Sequence, residues 1–437
     1  MIPAGDESPP DAARAEIALR HSGGLRASLL IGLCCFLVYN ANLRSITAGD
    51  TYPARYLPFA IVQYHTLFLE PVARVAAQGR GIGAYWLLRR PDGHLLSLYP
   101  VAVPVLIAPL YVPAVAYLHL RGWTDARLDH VAKVMEKLAA SFLAALSAAL
   151  LYLLIRRRAG PQVALLLTVA YAFGTTTWMI SSQALWQHGL AELLLVGALV
   201  ALTAPCTAAR ALTAGLLLGL MAANRPPDVI LAAALGPHAL LWAGWRRLPL
   251  LAAAAAVPLV AVVRYNLFAA GNAGGGYGVL DLASFFQHDL LTGVSGLLIS
   301  PTKGLLVFSP FLLWLALVGW RLPRSREDRR LLLAMTAAVV THIVLYAKTD
   351  WRGGLSWGPR YMTDLLPFLM WMLVPVAAAM RRAERAGFAG AVAVAVVIEA
   401  IGALSYTAPI DMAVYAADRG AINDMRPAFD WRNAAYL

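Results

Sequence analysis

The densest group of side chains able to do chemistry lies in NANLRSITAGDTYPARYLP, residues 40–58, which carries Asn40, Asn42, Arg44, Asp50 and Arg55 directly after an apolar segment. An acid held between two apolar elements is open to the pKa shifts that make a carboxylate a useful base. Asp50 also fits a plainer description, as the ion-pair partner of Arg55 or the cap of a helix starting near 54.

Further along, His188 and Glu192 stand four apart, one helical turn, and so share a face. That spacing suits two metal ligands, but no third His, Cys or acid follows at ligand spacing. No metal is expected there, and a hydrogen-bonding role in a cavity or a satisfied pair inside a bundle fits better. Arg225, three residues before Asp228, reads as a structural pair at a hairpin. The run GNAGGGYG at 271–278 opens into no GK[ST], so it reads as a flexible loop and not a phosphate cradle. Cys34, Cys35 and Cys206 offer neither a disulfide framework nor a CxxC site.

These residues must be positioned by membrane helices. Of 437 residues 60% are hydrophobic and 14% charged, against about 25% charged in an ordinary soluble domain. Apolar stretches of the roughly 20 residues that a bilayer demands recur along the chain. We expect an all-α polytopic membrane protein with about eleven spans, near 25–43, 134–155, 161–181, 184–204, 209–224, 227–244, 248–265, 304–320, 331–347, 361–380 and 388–407. Arginine-rich clusters follow the second, sixth, eighth and tenth of these spans: Arg156 to Arg158, Arg246 with Arg247, Arg321 to Arg330, and Arg381 to Arg385. Short arginine-rich loops belong in the cytoplasm. The expected organisation is therefore a cytoplasmic tail (1–24), a first transmembrane module (25–265) containing a long outer loop (44–133), a second module (266–407) with a second outer loop, and an outer C-terminal tail (408–437). Within the first loop, 54–78 reads as an amphipathic interfacial helix. The stretch 95–118, with Pro100, Pro104, Pro109 and Pro113, reads as interfacial or re-entrant. Tryptophans 178, 186, 351 and 357 fall near outer span ends, where aromatic belts gather; sugar stacking is also open to Trp351 and Trp357.

An acid in the first outer loop, two interfacial helices after it, paired spans and a second polar outer loop resemble the GT-C superfamily of integral membrane glycosyltransferases, which contains protein O-mannosyltransferases and bacterial aminoarabinose and arabinosyl transferases. The segments YAFGTTTWMISSQALWQHGLAE (171–192), GLLLGLMAANRPPDVI (215–230), GLLISPTKGLLVFSP (296–310) and DWRGGLSWGPRYMTDLLPFL (350–369) look like parts of bacterial members. The likeness covers about 25–380. It implies an inverting transfer of sugar from a polyprenyl-phosphate carrier to a small or lipid-borne acceptor, on the outer face of a bacterial inner membrane. Asp50 matches the family's first-loop acid, which takes the acceptor's proton. No second acid follows Asp50 directly, as it does in members with an Asp-Glu pair, so neither a metal nor another cofactor is expected; nucleic acid is not an expected partner.

A lipid phosphate that leaves gains charge, which cations must meet. Arg55, Arg264, Lys303 and Arg360 are the candidates, with Tyr265, His188, Glu192, Trp351, Arg352 and Trp357 lining the substrate cavity. Two other classes compete: a transporter or flippase for a lipid-linked or anionic solute, and a non-catalytic scaffold binding a lipid carrier. A transporter favours charges near the bilayer midplane. Here the charges gather at one face and mid-span stretches such as 251–257 are featureless.

Overall fold

The computed structural model describes residues 11–72, 85–279, 285–319, 326–416 and 425–437. Parts of five expectations lie outside the described residues: the start of the cytoplasmic tail (1–10), the end of the amphipathic helix (73–78), part of the second outer loop (280–284), the start of the basic run (321–325) and the middle of the C-terminal tail (417–424). The chain runs α1 (Asp11–Asn40), α2 (Tyr52–Tyr64), strands β1 (Leu87–Arg89) and β2 (Leu95–Ser97), α3 (Ala102–Ile107), α4 (Val112–Arg121), α5 (Asp125–Arg156), α6 (Pro161–Phe173), α7 (Gln187–Leu202) and α8 (Ala208–Asn224). It continues with α9 (Val229–Ala270), α10 (Leu290–Ile299), α11 (Leu305–Phe308), α12 (Trp314–Leu317), α13 (Arg326–Ala347), α14 (Leu366–Ala379), α15 (Arg382–Ser405) and α16 (Ala408–Ala416).

Local chemistry sets the helix ends. The Thr124 and Thr207 hydroxyls accept from Arg127 and Arg210 amides to cap α5 and α8, and the Asp289 carboxylate accepts from Thr292 to cap α10. Pro161 opens α6, where its missing N–H has no partner to lose. All eleven expected spans meet a helix or a run of short ones. The run 304–320 is α11, a 3-10 turn at Pro310–Leu313 and α12. The two expected at 227–244 and 248–265 form α9, which breaks at Gly244 with φ 60° and ψ 172°, a backbone state suited to glycine. Beyond that break the chain climbs beside α8. Gly215 and Gly219 of α8 let the backbones of Leu251 and Ala255 approach where a Cβ would collide, the close crossing that small residues four apart permit.

Among the described residues seven stretches are long and apolar enough to cross a membrane: 23–40, 102–121, 125–156, 226–270, 329–347, 360–379 and 382–405. Helices α6, α7, α8 and α10 are shorter and apolar. The element expected at 95–118 starts later, because 95–97 pairs antiparallel with 87–89 as a hairpin that hydrophobic content alone does not announce. From Ala102 to Arg121 the chain is helical apart from a 3-10 turn over Ala108–Tyr111, around Pro109. This run packs on α2 and reaches the start of α5. The expected helix 54–78 ends at His65, whose φ of 53° leaves the right-handed region.

Because successive long helices reverse direction, polar connections collect at two ends. One end gathers Arg157 against Val200 and Thr203, and Trp242 against Ala204. The other gathers the loops after α1, α6, α8, α9 and α13 with the C-terminal residues: Asn42 reaches Gln183, Asn224 reaches Gln187, and Ser300 and Thr302 both donate to Ala428. All the candidate site residues except Glu192 lie in or next to that second end.

Candidate active site

Asp50 is delivered by a fastened loop. After α1, Asn42 donates to the Ala403 carbonyl at 2.7 Å while Arg44 donates to Leu404 at 2.6 Å and Tyr406 at 2.9 Å, covering the C-terminal carbonyls of α15, where cations are favoured. The chain then forms a 3-10 turn, Gly49–Thr51, immediately before α2. One oxygen of Asp50 accepts from Tyr85 at 2.6 Å and Tyr99 at 2.7 Å; the other accepts from Arg360 at 2.9 Å. Burial pushes the carboxyl up, but the Arg360 guanidinium and the two phenol donors outweigh it and hold Asp50 below the usual carboxylate range. Burial and the Asp50 charge raise both phenols, so Tyr85 and Tyr99 stay protonated and donate.

Arg360 comes from the loop WRGGLSWGPR. Its second nitrogen donates to Gly353 at 2.6 Å, its guanidinium carbon lies 4.3 Å from the centre of the Trp186 ring, and its Nε is buried without a hydrogen bond. Gly358 holds φ 52°, and a Cβ there would come 2.8 Å from the Phe308 ring. Beside Tyr99 a cavity of about 220 Å³ opens, with Tyr99, Tyr265, Asn266 and Tyr277 on its polar side and Leu259, Val262 and Val263 of α9 on its apolar side. The Tyr265 hydroxyl is buried without a partner.

The remaining candidates divide by partner. Arg55 pairs with Glu136 at 2.6 Å, both sealed from solvent, and not with Asp50. Lys303 donates to the Ser356 carbonyl and stands 3.1 Å from Asp411, which also accepts from Tyr406; burial pulls its ammonium below the usual lysine range although Asp411 opposes this. Arg352 pairs with Asp350 at 2.9 Å and lies over Tyr415. Trp357 is edge-on to Phe308 and Tyr406, and Trp351 packs on Phe429. Arg264 lies on an exposed face of α9. His188 meets Asp364 at 2.8 Å, while Glu192 accepts from Thr177 at 2.6 Å, so their shared helical face serves two partners. Arg225 is not mainly a hairpin partner of Asp228, 3.7 Å away; it bonds Asp364 and Tyr346, because α8 ends against the 360–365 turn. Among the described residues no three His, Cys, Asp or Glu side chains are placed to share a metal.

Sequence reasoning passed over Tyr85, Tyr99, Tyr277 and Asp364. Asp364 stood inside a quoted segment, and a carboxylate at the head of an apolar span is the signal that marks it.

Neither family models nor curated proteins give a match to the chain. Among solved structures it matches the crystal structure of ArnT from Cupriavidus metallidurans in the apo state, with TM-score 0.50 and 14% identity, over 95% of this chain and 75% of that one. The fold is GT-C-like. This likeness concerns architecture, and the roles of individual side chains rest on the geometry above.

Proposed function

We propose that this protein is a membrane glycosyltransferase that moves a sugar, with inversion, from a polyprenyl-phosphate donor to an acceptor hydroxyl or amine, with Asp50 as general base. The observation that carries this reading is Asp50 itself: a carboxylate oriented by three donors, one of them a buried arginine, beside a cavity with one polar and one apolar side. The GT-C-like fold supports a transferase of this general kind.

In the proposed step the donor phosphate draws the Arg360 guanidinium, matching its planar fork. Released from that charge, Asp50 becomes more basic and takes the acceptor's proton. The acceptor's lone pair forms the new bond to the anomeric carbon on the face opposite the phosphate. The bond to the phosphate oxygen breaks, and its electron pair leaves on the lipid phosphate, which Arg360 meets. Tyr85 and Tyr99 hold the carboxylate's orientation. Lys303, on the neighbouring loop, adds positive potential; Arg55 and Arg264 hold less direct positions. The apolar side of the cavity suits an isoprenoid chain.

Asp50→Asn keeps the shape and removes the base. Transfer of labelled sugar from a polyprenyl-phosphate donor in reconstituted membranes should be lost while donor binding persists. Undiminished transfer would remove this reading and favour a carrier-binding or transport role. Sidedness is tested separately: cysteines placed at Trp123 and Arg158 should label from outside at 123 and be protected at 158, and the reverse pattern would turn the site to the cytoplasm.

A further inference from the structure

Lys137, on α5, is 6% exposed, and the partner recorded for its ammonium is the side-chain oxygen of Gln183. That oxygen also accepts from Asn42 at 2.7 Å. An ammonium has three N–H groups, so two remain unspent in a buried setting. The acid next to it in sequence, Glu136, is committed to Arg55 and to the Leu185 amide on another face of the helix. Arg44 is tied to the same group through Asn42, whose side-chain oxygen accepts from the Arg44 amide at 3.2 Å. Arg44 and Asn42 already cover the α15 carbonyls at 403, 404 and 406, so those carbonyls do not balance the lysine. Among the described residues the side-chain partners of both cations are neutral: Gln183 for Lys137, and the Leu404 and Tyr406 carbonyls for Arg44. Buried charge is costly unless an opposite charge completes it.

We propose that Lys137 and Arg44 form a phosphate-binding site, distinct from the Asp50 centre, that takes the headgroup phosphate of an anionic lipid or free phosphate. The surroundings favour the lipid. Val134 and Leu138, on one side of Lys137 round α5, are 44% and 37% exposed, and Leu43, next to Arg44 in sequence, is 93% exposed. Exposed apolar side chains therefore lie beside the cations, where acyl chains would run. Gln183 lies three residues before Trp186, the ring that carries Arg360, so an occupied site also braces the floor of the Asp50 centre. The site stands on its own charges and is independent of the transferase reading.

The test uses the full chain in nanodiscs of neutral phosphatidylcholine, with phosphatidylglycerol or inorganic phosphate as probes, read by native mass spectrometry and by melting temperature. Wild type should retain phosphatidylglycerol and melt higher with it. Lys137→Met should weaken retention by roughly tenfold or more, the scale of a lost charge-assisted hydrogen bond, and Lys137→Arg should restore most of it. A response to inorganic phosphate and none to phosphatidylglycerol would support the site with free phosphate as its occupant. Equal responses of wild type and Lys137→Met to both probes would overturn the proposal. Should Lys137→Met fail to fold, Arg44→Gln takes its place, and a wild type that retains neither probe overturns the proposal by itself. Because binding is read and not transfer, failure of the transferase reading leaves this outcome untouched.

Discussion

Asp50 and Arg55 lie five residues apart on one short stretch, yet the fold sends them into opposite situations. Arg55 meets Glu136 with side chains 2% and 0% exposed, its guanidinium stacked over Tyr52 and Tyr56. Asp50 meets Arg360 with side chains 26% and 9% exposed, and two tyrosine hydroxyls complete its shell. Each is an acid and an arginine in contact, but one pair is closed, whereas the other is partly exposed and bonds Tyr99, which lines a cavity. Ion pairing by itself therefore does not separate a structural charge from a working one. What separates them is whether a ligand can reach the pair and displace one partner.

Mutations at the two pairs should fail in different ways. At the open pair, Asp50→Asn should cost transfer about 10²- to 10⁴-fold, the contribution of a general base, with melting little changed. At the closed pair, Glu136→Ala leaves Arg55 buried and uncompensated, which costs about 3 to 5 kcal/mol of stability. Melting temperature and yield should fall, while the specific activity of the surviving protein stays close to normal. Replacing both Arg55 and Glu136 by apolar residues of similar volume should recover most of that loss. A Glu136→Ala protein that melts normally but cannot transfer sugar would erase the distinction.

Arg360→Lys sharpens the contrast more gently. The charge survives but the planar fork does not, so the KM for donor should rise roughly 10- to 100-fold, the equivalent of one or two charged hydrogen bonds. Arg55→Lys should leave the donor KM unmoved and show its effect in melting alone.

The membrane spans were legible in the sequence because a hydrocarbon layer imposes length and composition on each segment by itself. Even the pair merged at Gly244 was separable from the basic cluster at Arg246 and Arg247. The hairpin at 87–97 was not legible, since three-residue strands carry too little periodicity to register. Asp50 stood out through local context, an acid after a span. Its partner did not, because Arg360 is 310 residues away and only the packed bundle brings them together. The same applies to Arg225, whose near neighbour Asp228 was the obvious local choice while Asp364, 139 residues off, holds the closer contact. Residue type announces capacity, and long-range packing assigns it.

The smallest expected effect comes from Tyr99→Phe. Asp50 is held below its ordinary value of 3.8, so its carboxylate is fully formed above that pH and is lost as pH falls through the depressed folded value. The stability that the Arg360 pair contributes follows the same course, present above the unfolded value and lost in acid. Tyr99 donates to the charged form, and its removal raises the folded pKa. The acid limb of kcat/KM, which reports the free enzyme, should therefore move to higher pH by about half to one unit, given that one charged hydrogen bond is lost and Tyr85 remains on the same oxygen. The limb of kcat reports the substrate complex; under the proposed exchange Arg360 there faces phosphate, so in wild type that limb should already lie above that of kcat/KM. Tyr111→Phe, a buried phenol packed on Phe59 without a hydrogen bond of its own, should shift neither limb. If Tyr99→Phe moved the limb to lower pH, or the two limbs coincided in wild type, Arg360 would not be exchanged between carboxylate and phosphate, and the open pair would be as structural as the closed one.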